Sequence, residues 1–138
     1  MHRFVLVAAA IGSLAAGRAA AEPPDPMLAK VGGEMFQQYC ASCHGVTGEG
    51  NGPVAPSLRT PPADLTRIAA RRGGNFPDSD IARFIDGRFD LPAHGTREMP
   101  IWGRKLGEPI AEGTQPDEVV RGKLMALVEY LKTIQKKP

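Results

Sequence analysis

The sequence contains little of what many small proteins use to build a scaffold or a binding face. Two cysteines in 138 residues are too few for a disulfide framework or a four-thiolate zinc site. Aromatic residues make up 6% of the chain and are not interleaved with a basic stripe, which argues against nucleic-acid binding. No segment shows the convincing apolar–polar alternation of a β-strand. The chain is therefore expected to be helical and to bind something other than nucleic acid.

The only long apolar run lies at the N-terminus, at residues 4–16, and falls short of the roughly 20 residues that cross a bilayer. Arg3 precedes it, and the small residues Ala19 and Ala21 follow it. This pattern is typical of an export signal, and we expect cleavage after Ala21. Residues 1–21 would then be the signal peptide and residues 22–138 a single mature domain. An uncleaved anchor is the alternative.

Cleavage would also change the charge. The full chain carries 17 basic and 15 acidic residues, a net charge of +2. Loss of Arg3 and Arg18 with the signal leaves 15 of each, so the basic excess does not indicate a nucleic-acid partner.

Cys40 and Cys43 are followed directly by His44. This spacing is typical of covalent c-type haem attachment, because each thiol can add across a haem vinyl group and the imidazole can then reach the iron. A zinc site would need two more soft ligands, and a thioredoxin-like pair would need a βαβ pattern that is absent. We therefore expect one covalent haem c. Because this cofactor is normally attached outside the cytoplasm, the motif and the signal both predict a periplasmic protein.

The mature part predicts an all-α fold of three to five short helices joined by long loops rich in glycine and proline. Helices are expected at Pro26–Tyr39, at residues 64–72 and at Asp78–Asp86, with loop over residues 88–114. A last helix begins near Pro116, and its apolar stripe has helical spacing: Val120, Leu124, Leu127, Leu131 and Ile134. Loops this long leave a thin core, so we expect haem to supply apolar mass and the apoprotein to fold poorly.

Met99 is the predicted second axial ligand. Pro100 restricts it to an extended conformation, so it is not part of a helical stripe. The loop residue His94 is the rival ligand. A thioether paired with an imidazole favours ferrous iron and leaves no open coordination site, which indicates single-electron transfer. The other mature methionines lie on predicted helices and are expected to fill the core: Met27, Met35 and Met125.

In the order of these residues the chain resembles the small class I cytochromes c of bacterial periplasms, over nearly its whole mature length. The matching positions are Gly32, Phe36, Cys40, Cys43, His44, Met99, Leu127 and Tyr130. The resemblance implies the cytochrome c fold, wrapped around one covalently bound haem, with the first and last helices crossing at Gly32.

The resemblance also implies that the carbonyl of Pro56 accepts a hydrogen bond from Nδ1–H of His44, and that Leu58 packs on the haem. Two further residues are candidates for binding the haem propionates, through a guanidinium or an indole N–H: Arg59 and Trp102. The alternatives are that Arg59 is solvated and that Trp102 only packs on the pocket wall.

These features predict a non-enzymatic electron carrier in the periplasm. It would link a dehydrogenase or quinol-oxidising complex to a terminal oxidase or reductase. Arg97, Arg104 and Lys105 would form the charged rim of its docking surface. Its partners would be periplasmic redox proteins, without nucleic acid and without stable membrane insertion after cleavage. One alternative is a dedicated haem subunit of a periplasmic oxidoreductase. Another is a ligand-binding or catalytic haem protein with a displaceable ligand, in which His94 takes part.

Overall fold

The computed structural model describes residues 22–88, 98–108 and 116–137. Within these ranges the chain is all-α as predicted, with five α-helices and no β-strand. Three 3₁₀ turns occupy Ala55–Ser57, Leu65–Arg67 and Ala70–Arg72. The helices are α1 (Pro26–Tyr39), α2 (Ala41–His44), α3 (Asp78–Asp86), α4 (Trp102–Lys105) and α5 (Pro116–Thr133).

None of the helices in these ranges is both long enough and apolar enough to cross a membrane. The predicted signal peptide lies outside the described residues, so its cleavage stays a prediction.

Local signals explain where α1 begins. The carboxylate of Asp25 accepts the backbone N–H groups of Met27 and Leu28, at 2.8 and 2.9 Å, and so caps the first turn. Pro26 occupies the first helical position, where a missing N–H has no cost. The predicted bounds of α1 are confirmed, as are those of α3, which ends at Gly87 in the left-handed conformation.

Helices α1 and α5 cross closely and form the core. The rings of Phe36 on α1 and Tyr130 on α5 lie 5.1 Å apart. Four residues of the predicted stripe on α5 are buried and the fifth, Ile134, is partly buried against them. The four buried members are Val120, Leu124, Leu127 and Leu131. The stripe therefore faces the core as predicted.

The predicted helix at residues 64–72 is wrong, because two 3₁₀ turns take its place. Gln135, beyond the end of α5, explains the difference. Its side chain accepts the backbone N–H of Ala69 at 2.9 Å and donates to the carbonyl oxygen of Leu65 at 2.8 Å. These backbone groups are thereby paired with a distant side chain instead of with each other. The loop expected over residues 88–114 also contains a helix, α4.

Arg88 joins the end of α3 to the first turn of α5 through ion pairs with buried Asp86 and exposed Asp117. Arg88 donates from Nε and Nη2 to the two oxygens of Asp86, at 2.7 and 3.0 Å, and from Nη1 to Asp117 at 2.5 Å. Asp86 is only 6% exposed. Hydrogen bonding from Arg88 holds the pKa of Asp86 below its usual range. Gly103 of α4 packs against this pair, where a β-carbon would collide with the Asp86 carboxylate.

Candidate functional site

An apolar cavity of about 390 Å³ lies among the helices, a size typical of ligand pockets. Core residues of α1 and α5 form part of its wall, among them Phe36, Leu127 and Leu131. A larger groove of about 570 Å³, beside α3 and α5, contains none of the predicted site residues. Six predicted residues line the 390 Å³ cavity: Cys40, Cys43, His44, Leu58, Met99 and Trp102.

The short helix α2 carries the Cys-x-x-Cys-His motif, and a glycine-rich loop holds it in place. The backbone N–H groups of Gly50, Gly52 and Val54 donate to three successive carbonyl oxygens at the end of α2. Their acceptors are residues 44, 43 and 42, at 2.7, 3.1 and 3.0 Å. Gly52 lies so close that a β-carbon would stand 2.7 Å from the carbonyl oxygen of Ala41. These contacts satisfy carbonyls that a single helical turn leaves without partners.

The two thiols are free and partly buried. Burial raises the pKa of Cys40 to about 11, and the neighbouring Cys43 contributes less. A neutral thiol differs from the low-pKa thiolate that thioredoxin-like pairs use as a nucleophile. In residues 22–88, 98–108 and 116–137, no group of three or more His, Cys, Asp or Glu side chains is arranged to hold a metal ion.

A hydrogen bond to a residue outside the motif orients His44. Its Nδ1 lies 3.1 Å from the carbonyl oxygen of Ala63. With Nδ1 as donor, the ring is fixed and Nε2 is left to bind a metal. The prediction that Pro56 supplies this carbonyl is wrong. Pro56 lies exposed in a 3₁₀ turn, whereas a hydrogen bond of 2.7 Å from Leu65 N–H to the carbonyl of Gly48 brings the chain near Ala63 alongside the motif.

Met99 lies on the same cavity, far from His44 in sequence. It is partly buried and packs against the core. Trp102 also lines the cavity, and its ring lies 5.7 Å from that of Tyr39. Arg59 is exposed and is not part of the cavity wall, so its contact with a propionate stays a prediction. Two residues lie outside the described ranges: His94, the rival ligand, and Arg97, part of the expected docking rim.

Sequence reasoning missed Glu98, which lies beside Met99. Its Oε1 accepts the backbone N–H of Arg59 at 3.0 Å and its Oε2 that of Thr60 at 2.8 Å. These two backbone bonds hold the pKa of Glu98 below its usual range, and the bond from Thr60 contributes more than the bond from Arg59. No sequence signal indicates this contact, because its main donors are backbone N–H groups, which every residue except proline carries.

The helical fold, with two thiols and an imidazole on one apolar cavity, defines a class I c-type cytochrome. Within that class, the chain belongs to the family described as cytochrome C oxidase, cbb3-type, subunit III, which matches residues 28–112. Membership of the cytochrome c class implies haem c as the cofactor. The apolar cavity walls and the donor set of Cys40, Cys43 and His44 fit that group.

The chain is similar to three curated proteins of respiratory complexes. It is 33% identical over 91 residues to the cbb3-type cytochrome c oxidase subunit FixP of Sinorhizobium medicae, covering 65% of this chain and 26% of that protein. It is 34% identical over 87 residues to the subunit FixPc of Rhizobium leguminosarum bv. viciae, covering 62% and 25%.

The third relative is the cytochrome bc1 complex cytochrome c subunit of Corynebacterium efficiens. It is 28% identical over 105 residues, which cover 64% of this chain and 34% of that protein. The match thus spans only about a quarter to a third of the length of each of these three relatives.

Proposed function

We propose that the protein is a periplasmic single-electron carrier with one covalently attached haem c. Cys40 and Cys43 would form the thioether bonds, and His44 and Met99 would bind the haem iron. The observation that carries the proposal is that all four side chains line one apolar cavity, although Met99 is far from the motif in sequence.

Haem c, when bound, supplies a metal centre that gains and loses one electron. The residues of this chain orient, shield and tune it. The carbonyl of Ala63 orients His44 through Nδ1. Phe36 and Leu131 form buried parts of the cavity wall that exclude water. A thioether from Met99 would favour the reduced form, and together with His44 it would leave no position for a substrate.

The proposed partners are respiratory redox proteins. This is supported by the relatives, which are named as subunits of a cbb3-type oxidase and a bc1 complex. Arg104 and Lys105 are exposed at the end of α4, two and three residues after the cavity residue Trp102, and would contribute positive charge to a docking rim. We expect association with an acidic partner surface that weakens as salt increases, and a rate unchanged by ionic strength would contradict it.

A second candidate function is a dedicated haem subunit of one oxidoreductase. The relatives favour it because each is named as a subunit. Gel filtration of native periplasm separates the two candidates. A free carrier elutes at the mass of the mature chain, whereas a permanent subunit co-purifies with its complex.

The optical spectrum of the oxidised holoprotein tests the axial ligands. Methionine sulfur bound to ferric haem gives a weak far-red charge-transfer band. We expect this band in the wild type and its loss in Met99→Ala. Met125 was expected to fill the core, but like Met27 it is exposed, to 53% on α5. Met125→Ala is therefore the matched control and should retain the band. A high-spin wild type that binds carbon monoxide rapidly after reduction would instead indicate an open site.

A further inference from the structure

One short stretch of chain, the 59–63 segment, is bonded to both sides of the cavity. At its end the carbonyl oxygen of Ala63 lies 3.1 Å from Nδ1 of His44. At its beginning the N–H groups of Arg59 and Thr60 donate to Glu98, the residue before Met99. The same five residues therefore contact His44 directly and Met99 through its neighbour.

The contact with Glu98 is geometrically specific. Adjacent backbone amides each donate to a different oxygen of the carboxylate, at 3.0 and 2.8 Å. Two parallel bonds to a charged acceptor define its position and orientation better than one bond can. Because Pro61 and Pro62 follow Thr60, the segment is stiff and offers no N–H at these two positions. Glu98 thus bonds to a rigid part of the loop.

Met99 lies between two restraints. On one side is Glu98, which is tied to the 59–63 segment. On the other is Pro100, whose ring confines residue 99 to extended backbone conformations. All three residues line the cavity, together with Thr60. The backbone at Met99 is therefore restrained on both sides of the residue whose thioether must reach the cavity.

We propose that Glu98 is a positioning residue for Met99. Its carboxylate ties the methionine backbone to the 59–63 segment and thereby keeps the thioether at the cavity. This inference rests on the proposed function, in which Met99 is an axial ligand. It concerns chiefly the hydrogen bonds from two main-chain amides, to which the Thr60 side chain adds a further one.

Imidazole titration of the ferric holoprotein tests the role of Glu98, because imidazole must displace Met99 to bind. We expect Glu98→Ala to raise the apparent imidazole affinity about tenfold, since both hydrogen bonds to a charged acceptor are lost. Glu98→Gln should give a smaller rise, because its amide oxygen still accepts one N–H. Glu34→Gln, an exposed change on α1, is the matched control and should leave the affinity unchanged.

Amide hydrogen exchange at Arg59 and Thr60 gives a second readout that does not depend on metal ligation. Both amides should lose protection in Glu98→Ala and keep it in Glu34→Gln. Loss of protection without a change in imidazole affinity would overturn the positioning role and leave the proposed function intact. Wild-type protection at both amides in Glu98→Ala would also overturn it. A wild type without the far-red band, in contrast, would refute Met99 as a ligand and both proposals with it.

Discussion

Gly32 of α1 lies directly against the backbone carbonyl of Ala126 on α5. A β-carbon at position 32 would collide with that oxygen and would stand 3.0 Å from the backbone nitrogen of Leu127. Because the obstacle is the main chain of a buried helix, no side-chain rotation can relieve it. The closeness of the α1–α5 crossing thus depends on the absence of a side chain at this position.

Glycine substitutions on the two crossing helices should therefore have opposite effects. Gly32→Ala should lower the free energy of unfolding by about 1–3 kcal/mol, because the helices must separate. Gly122 of α5 is exposed and has no atom within 4 Å of its would-be β-carbon. Gly122→Ala should raise the free energy of unfolding by about 0.5–1 kcal/mol through helix propensity. Chemical denaturation of both holoproteins checks the pair, and equal effects would contradict the crossing geometry.

Asp86 should make the stability of the protein sensitive to acid. Its folded-state pKa is lowered by Arg88, so its contribution is complete above the unfolded-state value of about 3.9 and disappears as the pH falls through the folded-state pKa. We expect Asp86→Asn to be less stable near neutral pH by about 1 kcal/mol. Its stability should also fall less steeply in acid than that of the wild type.

Denaturation midpoints measured across the acidic range test this prediction. Asp80→Asn, an exposed change on the same helix, is the control and should follow the wild-type curve. Parallel pH curves for wild type and Asp86→Asn would show that the Arg88 pair does not supply the acid sensitivity.

Replacing the proposed thioether ligand should shift the redox potential in a known direction. Met99→His puts an imidazole where sulfur lies, and imidazole stabilises ferric iron more than a thioether does. The midpoint potential should therefore fall relative to the wild type, as spectroelectrochemical titration would show. Met125→His is the control on exposed α5 surface and should leave the potential close to that of the wild type. A rise in the Met99→His variant would argue against sulfur as the wild-type ligand.

Without covalent haem the domain should fold poorly. Core residues such as Phe36, Leu127 and Leu131 also line the cavity, so their packing depends on what fills it. The double variant Cys40→Ala with Cys43→Ala should show reduced helical circular dichroism and rapid amide exchange in α1 and α5. A cooperative unfolding transition equal to that of the holoprotein would contradict this expectation.

The parts of the fold that could be predicted are those specified by neighbouring residues. The start of α1 follows from Asp25 and Pro26, and the stripe on α5 follows from spacing alone. The motif residues and Met99 could also be placed on one site from the sequence, because their chemistry is specific to a few side chains, while their binding to haem stays a prediction.

The structural predictions failed where a residue distant in sequence determines the local structure. Gln135 converts the predicted helix at residues 64–72 into separate turns, and no feature of that segment indicates it. The carbonyl that faces His44 belongs to Ala63 rather than Pro56, and any residue type carries such a carbonyl. Arguments from residue type cannot identify which backbone carbonyl accepts a given hydrogen bond.

The bond between Glu98 and the 59–63 segment has an evolutionary consequence. Because the donors are main-chain amides, mutations at positions 59 and 60 preserve the contact unless they introduce proline. In an alignment of related chains, position 98 should then vary within a narrow set of acceptors. Position 59, which bonds Glu98 through its main-chain amide, should vary without co-varying with position 98. Pairwise covariation would not detect the two main-chain bonds. In the alignment, their sign would be the exclusion of proline from positions 59 and 60.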